Sequence, residues 1–240
     1  MQPKKIDLTK QIALYHYSIL SSTNSTARSL IAQGFDLPLA VRADEQTAGK
    51  GQWGRVWQSS KGGMYLSVAL AVDLSLDQLL HLTLITGWAL AAIFNRENIP
   101  VKLKWPNDLL LDRKKLGGIK IETKSSKIII GIGINWQNQT PPEGINLLQY
   151  PFINSLDHLT ELTIEAIFLA IETYSSLGIE GSLPLYLEHL DSIGKSVEIN
   201  GQRGTVVGVD SQGNLRVFLS SPGASCEISC SPGMISLGYY

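Results

Sequence analysis

The 240-residue chain is nearly neutral, with 20 lysine and arginine residues against 21 acidic ones. This balance argues against a protein dedicated to nucleic acids or membrane surfaces, so any basic patch must be local. Hydrophobic residues make up 44% of the chain and charged residues 17%. That composition is typical of a globular protein with one large domain, or with a large and a small one.

The N-terminal segment and the cysteines bear on the cellular compartment. Asp7 and Lys10 interrupt the N-terminal segment before an apolar core develops, so we expect no signal peptide. Cys226 and Cys230 are the only two cysteines, and a strand would place them roughly 13 Å apart, too far for a disulfide. No zinc framework is available from two cysteines, and we expect a reducing, cytoplasmic setting.

The first half of the chain alternates between strand-like and helical segments. Hydroxyl caps at Ser22 or Thr23 and a stop at Gly34 predict a short helix. Residues 78–95 lack Asp, Glu, Lys and Arg, yet they contain other polar residues and follow a capping box at residues 75–78. We therefore predict a buried helix over 76–95 rather than a membrane span. The predicted strands are residues 39–45, which we expect to be half buried, 64–72, 101–105, 109–111, 116–122 and 127–136.

The second half changes character near residues 192–195. A loop over 137–155 and two helices, 164–176 and 184–190, are predicted before this point. Beyond it, short β-rich segments alternate with turn pairs such as Asn200-Gly201, as in a small β-barrel. The sequence therefore predicts two domains, residues 1–192 and 193–240. The predicted barrel strands are residues 196–199, 205–209, 214–218, 226–229 and 234–237.

The segment TAGKGQWGRVW, residues 47–57, has the spacing G-x-G-x-x-G at Gly49, Gly51 and Gly54. In a dinucleotide site a helix begins at the last glycine, but here a run of serines and glycines leads into a second strand. The pattern predicts a long loop between two strands. Its cations, Lys50 and Arg55, and its backbone N–H groups could surround an oxyanion, although an ordinary solvated loop is an equal alternative.

Two other segments carry polar residues at element ends. In KWPNDLLLDRKKLGGI, residues 104–119, Lys115 precedes two glycines and could point into a cleft, and Asp108 beside Asn107 could hold Mg²⁺ with phosphate oxygens. A β-hairpin turn with a solvated lysine pair would also account for this segment. In SSTNST, residues 21–26, hydroxyl groups exceed what helix capping needs, which fits recognition of a polar ring, although turns rich in serine and threonine are also common without a ligand.

Taken together and in this order, the segments STN, QTAGKGQWGRVW, GGMYLSV, KWPNDLLLDRKKLGGI and GIGIN resemble the biotin–protein ligase family. The resemblance extends over nearly the whole chain, including the terminal PGMISL. It implies an α+β fold, in which a mixed β-sheet flanked by helices is followed by a small C-terminal Src-homology-like β-barrel. It also implies that biotin and ATP form biotinyl-5′-AMP and pyrophosphate, and that a lysine of a biotin carboxyl carrier protein then takes the biotinyl group.

The resemblance assigns a role to each candidate residue. The implied catalytic residues are Lys115, Arg55 and Asp108, and Asp108 is also an implied contact for Mg²⁺. Lys115 would neutralise charge that develops on the reacting carboxylate and α-phosphate. The implied biotin-binding residues are Ser22, Thr23, Asn24, Gln46, Lys50, Gly51, Gln52, Lys115 and Gly118. The implied ATP-binding residues are Arg55, Trp57, Lys104, Asn107, Asp108 and Asn135.

One departure from the family pattern concerns the glycine loop. The family usually has G-R-G-R where this chain has Gly49-Lys50-Gly51-Gln52. Lys50 keeps a positive charge without the guanidinium fork, and Gln52 has no charge. We hypothesise that this chain retains biotinyl-AMP less firmly than members with both arginines.

Other functions in and near the family make different demands on the sequence. Only 21 residues precede Ser22, fewer than a helix-turn-helix motif needs, so we expect no DNA binding. A lipoate or octanoate ligase would need an apolar tunnel in place of partners for a ureido ring. A non-catalytic biotin-binding homologue is disfavoured by Lys115, Asp108 and Arg55. By analogy, a sheet edge near Ile134 could pair two subunits into a homodimer.

Overall fold

The computed structural model describes residues 12–72, 74–124, 126–221, 224–235 and 237–238. The N-terminal residues 1–11, which the signal-peptide expectation concerns, lie outside the described residues. The elements are β1 (Ala13–Leu20), α1 (Thr23–Ala32), β2 (Leu39–Gln46), β3 (Met64–Leu70), α2 (Leu76–Arg96), β4 (Lys102–Lys104), β5 (Asp108–Leu111), β6 (Lys114–Thr123), β7 (Ile128–Ile134), α3 (Leu156–His189), β8 (Ser196–Ile199), β9 (Gln202–Val209), β10 (Leu215–Ser221) and β11 (Ala224–Cys230).

Strands β1 to β7 form one mixed sheet in the order β1-β2-β3-β7-β6-β5-β4. β1 and β2 are parallel, and the other neighbours in this sheet are antiparallel. The apolar side of α1 packs with Leu39 and Val41 on one face. On the other face, α2 and α3 pack against each other over the main core, which includes Ala40 of β2. The predicted mixed sheet flanked by helices is confirmed.

Two strands at one side of this sheet differ from expectation. β2 is buried on both faces over its first five residues, because helices cover both sides, so the expectation of a half-buried strand is wrong. Its Arg42 is buried and donates to Asp157 Oδ1 at 2.6 Å and to Thr160 Oγ1 at 3.0 Å. Strand β1 was not predicted, although Tyr15, Tyr17 and Ile19 alternate with smaller or polar residues. It is one of the two edge strands of the sheet and is mostly exposed.

The helices confirm most of the predicted pattern. The capping box of Ser75 and Gln78 is present at the start of α2. By length and composition α2 and α3 could each cross a membrane, but most of α2 is buried inside the protein, as expected for a core helix. α3 begins at Leu156, eight residues earlier than predicted, because Ser155 caps it by accepting from His158 N–H at 3.0 Å. It breaks at Gly178, where φ is 63°.

The C-terminal strands form a separate antiparallel sheet in the order β11-β10-β9-β8, consistent with the expected small barrel. Residues 234, 235 and 237 are not in a strand, contrary to expectation, and Ser236 is outside the described residues. Both cysteines lie on β11 and are free, as expected.

The predicted edge near Ile134 is wrong, because β7 lies between β3 and β6. The domain boundary at residue 192 stays a prediction.

Candidate active site

A cavity of about 910 Å³ lies where α1, the glycine loop and strands β6 and β7 meet. The elements converge there although their residues are far apart in the sequence. Every candidate site residue from the sequence lines it: Ser22, Thr23, Asn24, Gln46, Lys50, Gly51, Gln52, Arg55, Trp57, Lys104, Asn107, Asp108, Lys115, Gly118 and Asn135.

One end of the cavity is built from hydroxyl and amide groups at the start of α1. Gln46 Oε1 accepts from Thr23 N–H at 2.8 Å, and Gln46 Nε2 donates to Ser59 Oγ at 2.9 Å. The buried Ser67 of β3 places its Oγ 2.7 Å from Thr23 Oγ1 and 2.6 Å from Asn24 Oδ1. Ser22 does not cap α1 with its side chain, so capping does not account for its hydroxyl.

The other end of the cavity carries a cluster of cations around one carboxylate. Asp108 Oδ1 lies 2.6 Å from Lys115 Nζ, and Asp108 Oδ2 lies 3.8 Å from Lys104 Nζ. Burial lowers the pKa of Lys104 to about 8, and the positive charges of Lys115 and Arg55 act in the same direction, while Asp108 opposes them. An anion that entered this end would relieve the repulsion among the three cations.

Trp57 lies beside the cationic end. Lys115 Nζ is 5.2 Å from the centroid of its ring. Gly133 of β7 allows the indole to lie against the sheet, because a Cβ there would be 2.5 Å from Trp57 Nε1. That Nε1 is buried and has no hydrogen-bond partner among the described residues. The indole ring also lines the cavity, so this part of the cavity suits a ligand with a flat face.

The glycine loop crosses the mouth of the cavity between β2 and β3, as expected. A bridge between Lys50 and Val56 closes the loop, and Gln52 Nε2 reaches Ile119 O on β6 at 3.4 Å. Trp53 at its tip is 62% exposed and lies close to Gly233 in the C-terminal part of the chain. The loop can therefore contact a bound ligand from above while β6 and β7 form the floor.

The expected contact of Asp108 with Mg²⁺ stays a prediction, and the donor set does not favour it. Both carboxylate oxygens face ammonium groups, so a metal ion there would meet two positive charges. Within the described part of the chain, no three His, Cys, Asp or Glu residues are grouped as metal ligands.

Several cavity residues were not predicted from the sequence. Ser67 interrupts the otherwise apolar run of β3, and this irregularity was a usable signal. Lys120 and Glu122 follow Gly118 at intervals of two on β6, so the same strand face carries all three. The remaining cavity residues that were not predicted include Arg28, Glu143 and residues 233–235.

Comparison with known proteins agrees with this geometry. Residues 15–138 match the model of the biotin/lipoate A/B protein ligase family. The chain is 39% identical over 144 residues to the bifunctional ligase/repressor BirA of Bacillus subtilis. The aligned region covers 57% of this chain and 44% of the relative. It is 33% identical over 129 residues to the biotin–[acetyl-CoA-carboxylase] ligase of Mycobacterium tuberculosis, covering 51% of this chain and 48% of the relative. These matches span less than half the length of either relative.

A solved structure extends the similarity to nearly the whole chain. The biotin protein ligase of Aquifex aeolicus, in complex with biotin and ATP, superposes with a TM-score of 0.74 and 25% identity. The match covers 95% of this chain and 99% of that one. The family model covers more than half of the sequence, and its match includes every candidate site residue. The chain belongs to the biotin/lipoate A/B protein ligase family.

Proposed function

We propose that this chain is an ATP-dependent biotin–protein ligase. The observation that carries the proposal is the union, in one cavity, of a neutral end rich in hydroxyl and amide groups with a cationic end. Biotin has a ureido ring at one end and a carboxylate at the other, so it complements such a cavity. Relatives named as biotin ligases, and one solved with biotin and ATP, support the same substrates.

In the first step, the proposed roles follow from charge and position. A biotin carboxylate oxygen attacks the α-phosphorus of ATP, and the bond from that phosphorus to the bridging oxygen of the leaving pyrophosphate breaks. Two anions must meet in this step, and Lys115, with Arg55 and Lys104, supplies positive charge where they meet. Asp108 holds Lys115 in place through the 2.6 Å ion pair. Trp57 offers a flat ring to the nucleotide.

In the second step, an acceptor lysine amine attacks the acyl carbon of biotinyl-5′-AMP. The amide bond forms, AMP leaves, and the amine loses a proton. The glycine loop would cover the mixed anhydride and keep water from it before this transfer. We propose a biotin carboxyl carrier protein of acetyl-CoA carboxylase, or of a similar carboxylase, as the acceptor, and a reducing cytoplasm as the compartment.

The test is ATP–pyrophosphate exchange with biotin, lipoate or octanoate as the acid. Exchange that depends on biotin, followed by biotin transfer to the carrier protein, is the expected result. Exchange with lipoate or octanoate but not with biotin would identify a lipoate or octanoate ligase of the same family. Biotin binding without any AMP or pyrophosphate formation would instead identify a non-catalytic biotin-binding protein.

A further inference from the structure

A chain of hydrogen bonds connects Glu122, at the side of the cavity, to Thr23 in its polar end. Asn24 Nδ2 donates to Glu122 Oε2 at 2.7 Å. Asn24 Oδ1 lies 2.6 Å from Ser67 Oγ, which lies 2.7 Å from Thr23 Oγ1. Gly131 of β7 lies against the Asn24 amide, where a Cβ would overlap it, so the amide is closely confined.

Glu122 is ionised at neutral pH. Burial alone would raise its pKa, but the hydrogen bond from Asn24 and the charges of Lys120 and Arg28 outweigh burial and hold the pKa below its ordinary value. Lys120 Nζ lies 3.4 Å and Arg28 Nη2 3.3 Å from the carboxylate oxygens. An ionised carboxylate can only accept hydrogen bonds.

The direction of every hydrogen bond along the chain follows from this acceptor. Because the carboxylate cannot donate, the Asn24 amide must turn its NH₂ toward Glu122 and its oxygen toward Ser67. Ser67 has one proton, and it must donate that proton to Asn24 Oδ1. Thr23 Oγ1, 2.7 Å from Ser67 Oγ, must then donate its own proton to Ser67, because two lone pairs at that distance would repel.

The Thr23 hydroxyl is therefore left with lone pairs toward the cavity. The Thr23 hydroxyl also lies 3.2 Å from Gln46 Oε1, but that oxygen already accepts the Thr23 backbone N–H at 2.8 Å, so the hydroxyl proton goes to the shorter 2.7 Å contact with Ser67. A hydroxyl that is otherwise free to rotate can donate or accept, whereas this one can only accept. Thr23 would therefore favour a ligand that places an N–H group beside it and would disfavour one that places an oxygen there.

We propose that Glu122 is a positioning residue for recognition of the ligand ring. Through Asn24 and Ser67 it orients the Thr23 hydroxyl as a dedicated acceptor for a ring N–H of a cyclic urea. Glu122 itself does not contact Thr23 and acts on it through the side chains of Asn24 and Ser67. The inference rests on the proposed function, since biotin is the cyclic urea in question.

The experiment measures KM for biotin, KM for ATP and kcat in ATP–pyrophosphate exchange for Glu122→Gln, Ser67→Ala and the double variant. A glutamine at 122 can face Asn24 with its oxygen or its NH₂, so it no longer fixes the direction. We expect KM for biotin to rise about tenfold in each single variant, the loss of roughly one hydrogen bond, with kcat and KM for ATP unchanged. The double variant should be no worse than the worse single variant, because either change already breaks the relay.

Glu227→Gln is the matched control, since it makes the same change in a glutamate paired with Arg216 on the C-terminal sheet. An unchanged KM for biotin in Glu122→Gln, a fall in kcat alone, or additive effects in the double variant would overturn the inference. Glu122→Gln and Ser67→Ala are both nearly isosteric changes, so whichever of the two variants folds gives a value of KM for biotin. If the unaltered protein shows no exchange with biotin, the proposed function fails. If it does and the variants match it, only the role of Glu122 fails.

Discussion

At the scale of single residues, the cationic end of the cavity brings several positive charges together around a buried lysine. Lys104 is largely buried, and it faces Asp108 together with Lys115. The carboxylate of Asp108 is shared between two ammonium groups, and the positive charges of Lys115 and Arg55 both act on Lys104. Such an arrangement is unfavourable in the empty protein and becomes favourable when phosphate and carboxylate groups arrive.

Replacing Lys115 tests this interpretation directly. Lys115→Met should lower kcat for ATP–pyrophosphate exchange on the order of a hundred- to a thousandfold, because a donor aimed at developing charge is lost. Lys114→Met is the matched control, because Lys114 is exposed at the start of the same strand and does not line the cavity. Equal effects in the two variants would show that general charge, and not the position of Lys115, matters.

Lys104 should give the enzyme a pH dependence of its own. Its pKa of about 8 means that it loses its charge as pH rises through that value. We therefore expect kcat/KM for ATP to fall between pH 7 and pH 9, since a neutral amine attracts phosphate less strongly. Arginine stays charged throughout this range, so Lys104→Arg should give a flat profile. A fall of the same size in both proteins would assign it to another group.

Gln52 tests the departure from the family's loop pattern. Its amide reaches Ile119 O at only 3.4 Å and contributes no charge to the loop. Gln52→Arg should lengthen the lifetime of enzyme-bound biotinyl-AMP, measured as release of the labelled intermediate after gel filtration, because a guanidinium can bind its phosphate. Gln33→Arg adds the same charge to the exposed end of α1, outside the cavity. A lifetime no longer than that of the native protein would reject the hypothesis.

At the scale of elements, β7 determines how closely a ligand can approach the sheet. It alternates isoleucines, which fill the main core, with Gly131 and Gly133 on the cavity side. Asn24 and Trp57 occupy the space that side chains at these two positions would fill. The strand thus supports both the polar end of the cavity and the ring of Trp57.

A methyl group at position 133 should separate these two roles. Gly133→Ala places a Cβ against the rigid indole of Trp57, which must shift away from the sheet. Since stacking on an aromatic ring contributes about 1–3 kcal/mol per base, we expect KM for ATP to rise about tenfold or more, with KM for biotin little changed. Gly87→Ala in α2, whose Cβ would meet only ordinary contacts, is the control. An unchanged KM for ATP would mean that Trp57 does not contact the base.

Local patterns predicted most elements, and the resemblance predicted which residues meet in the cavity. Spacing alone left the glycine loop and the segment around Asp108 open to ordinary explanations, because their convergence depends on strand order. The order β3-β7-β6, which brings the loop, Gly133 and Lys115 together, is non-local and has no signal in a short window. Strand β1 escaped prediction because an exposed edge strand lacks a clear apolar face. Glu122 was not predicted as a site residue because its role depends on a contact with Asn24, which is 98 residues away in the sequence.

At the scale of the whole molecule, the two sheets meet next to the candidate site. Trp105, directly after β4, is buried and donates its indole N–H to Gly213 O in the turn between β9 and β10 at 2.9 Å. That turn also lies against Leu80 of α2. The turn that begins at Trp105 contains Asn107 and leads into Asp108, the first residue of β5, so the C-terminal sheet supports the segment that carries the cationic end.

Trp105→Phe should therefore affect stability and activity together. The ring largely keeps its packing, but Gly213 O loses its donor, which costs about 1–3 kcal/mol for a buried group. For a chain of this size each kcal/mol lowers the Tm by roughly 2–4 °C, so calorimetry should detect the change. We also expect KM for ATP to rise, because the turn that carries Asp108 loses its support. Trp88→Phe in α2 removes the same ring area from a partly buried position outside the cavity. If Trp88→Phe lowers Tm and raises KM for ATP by as much as Trp105→Phe does, the hydrogen bond between the two sheets has no special part in holding the site.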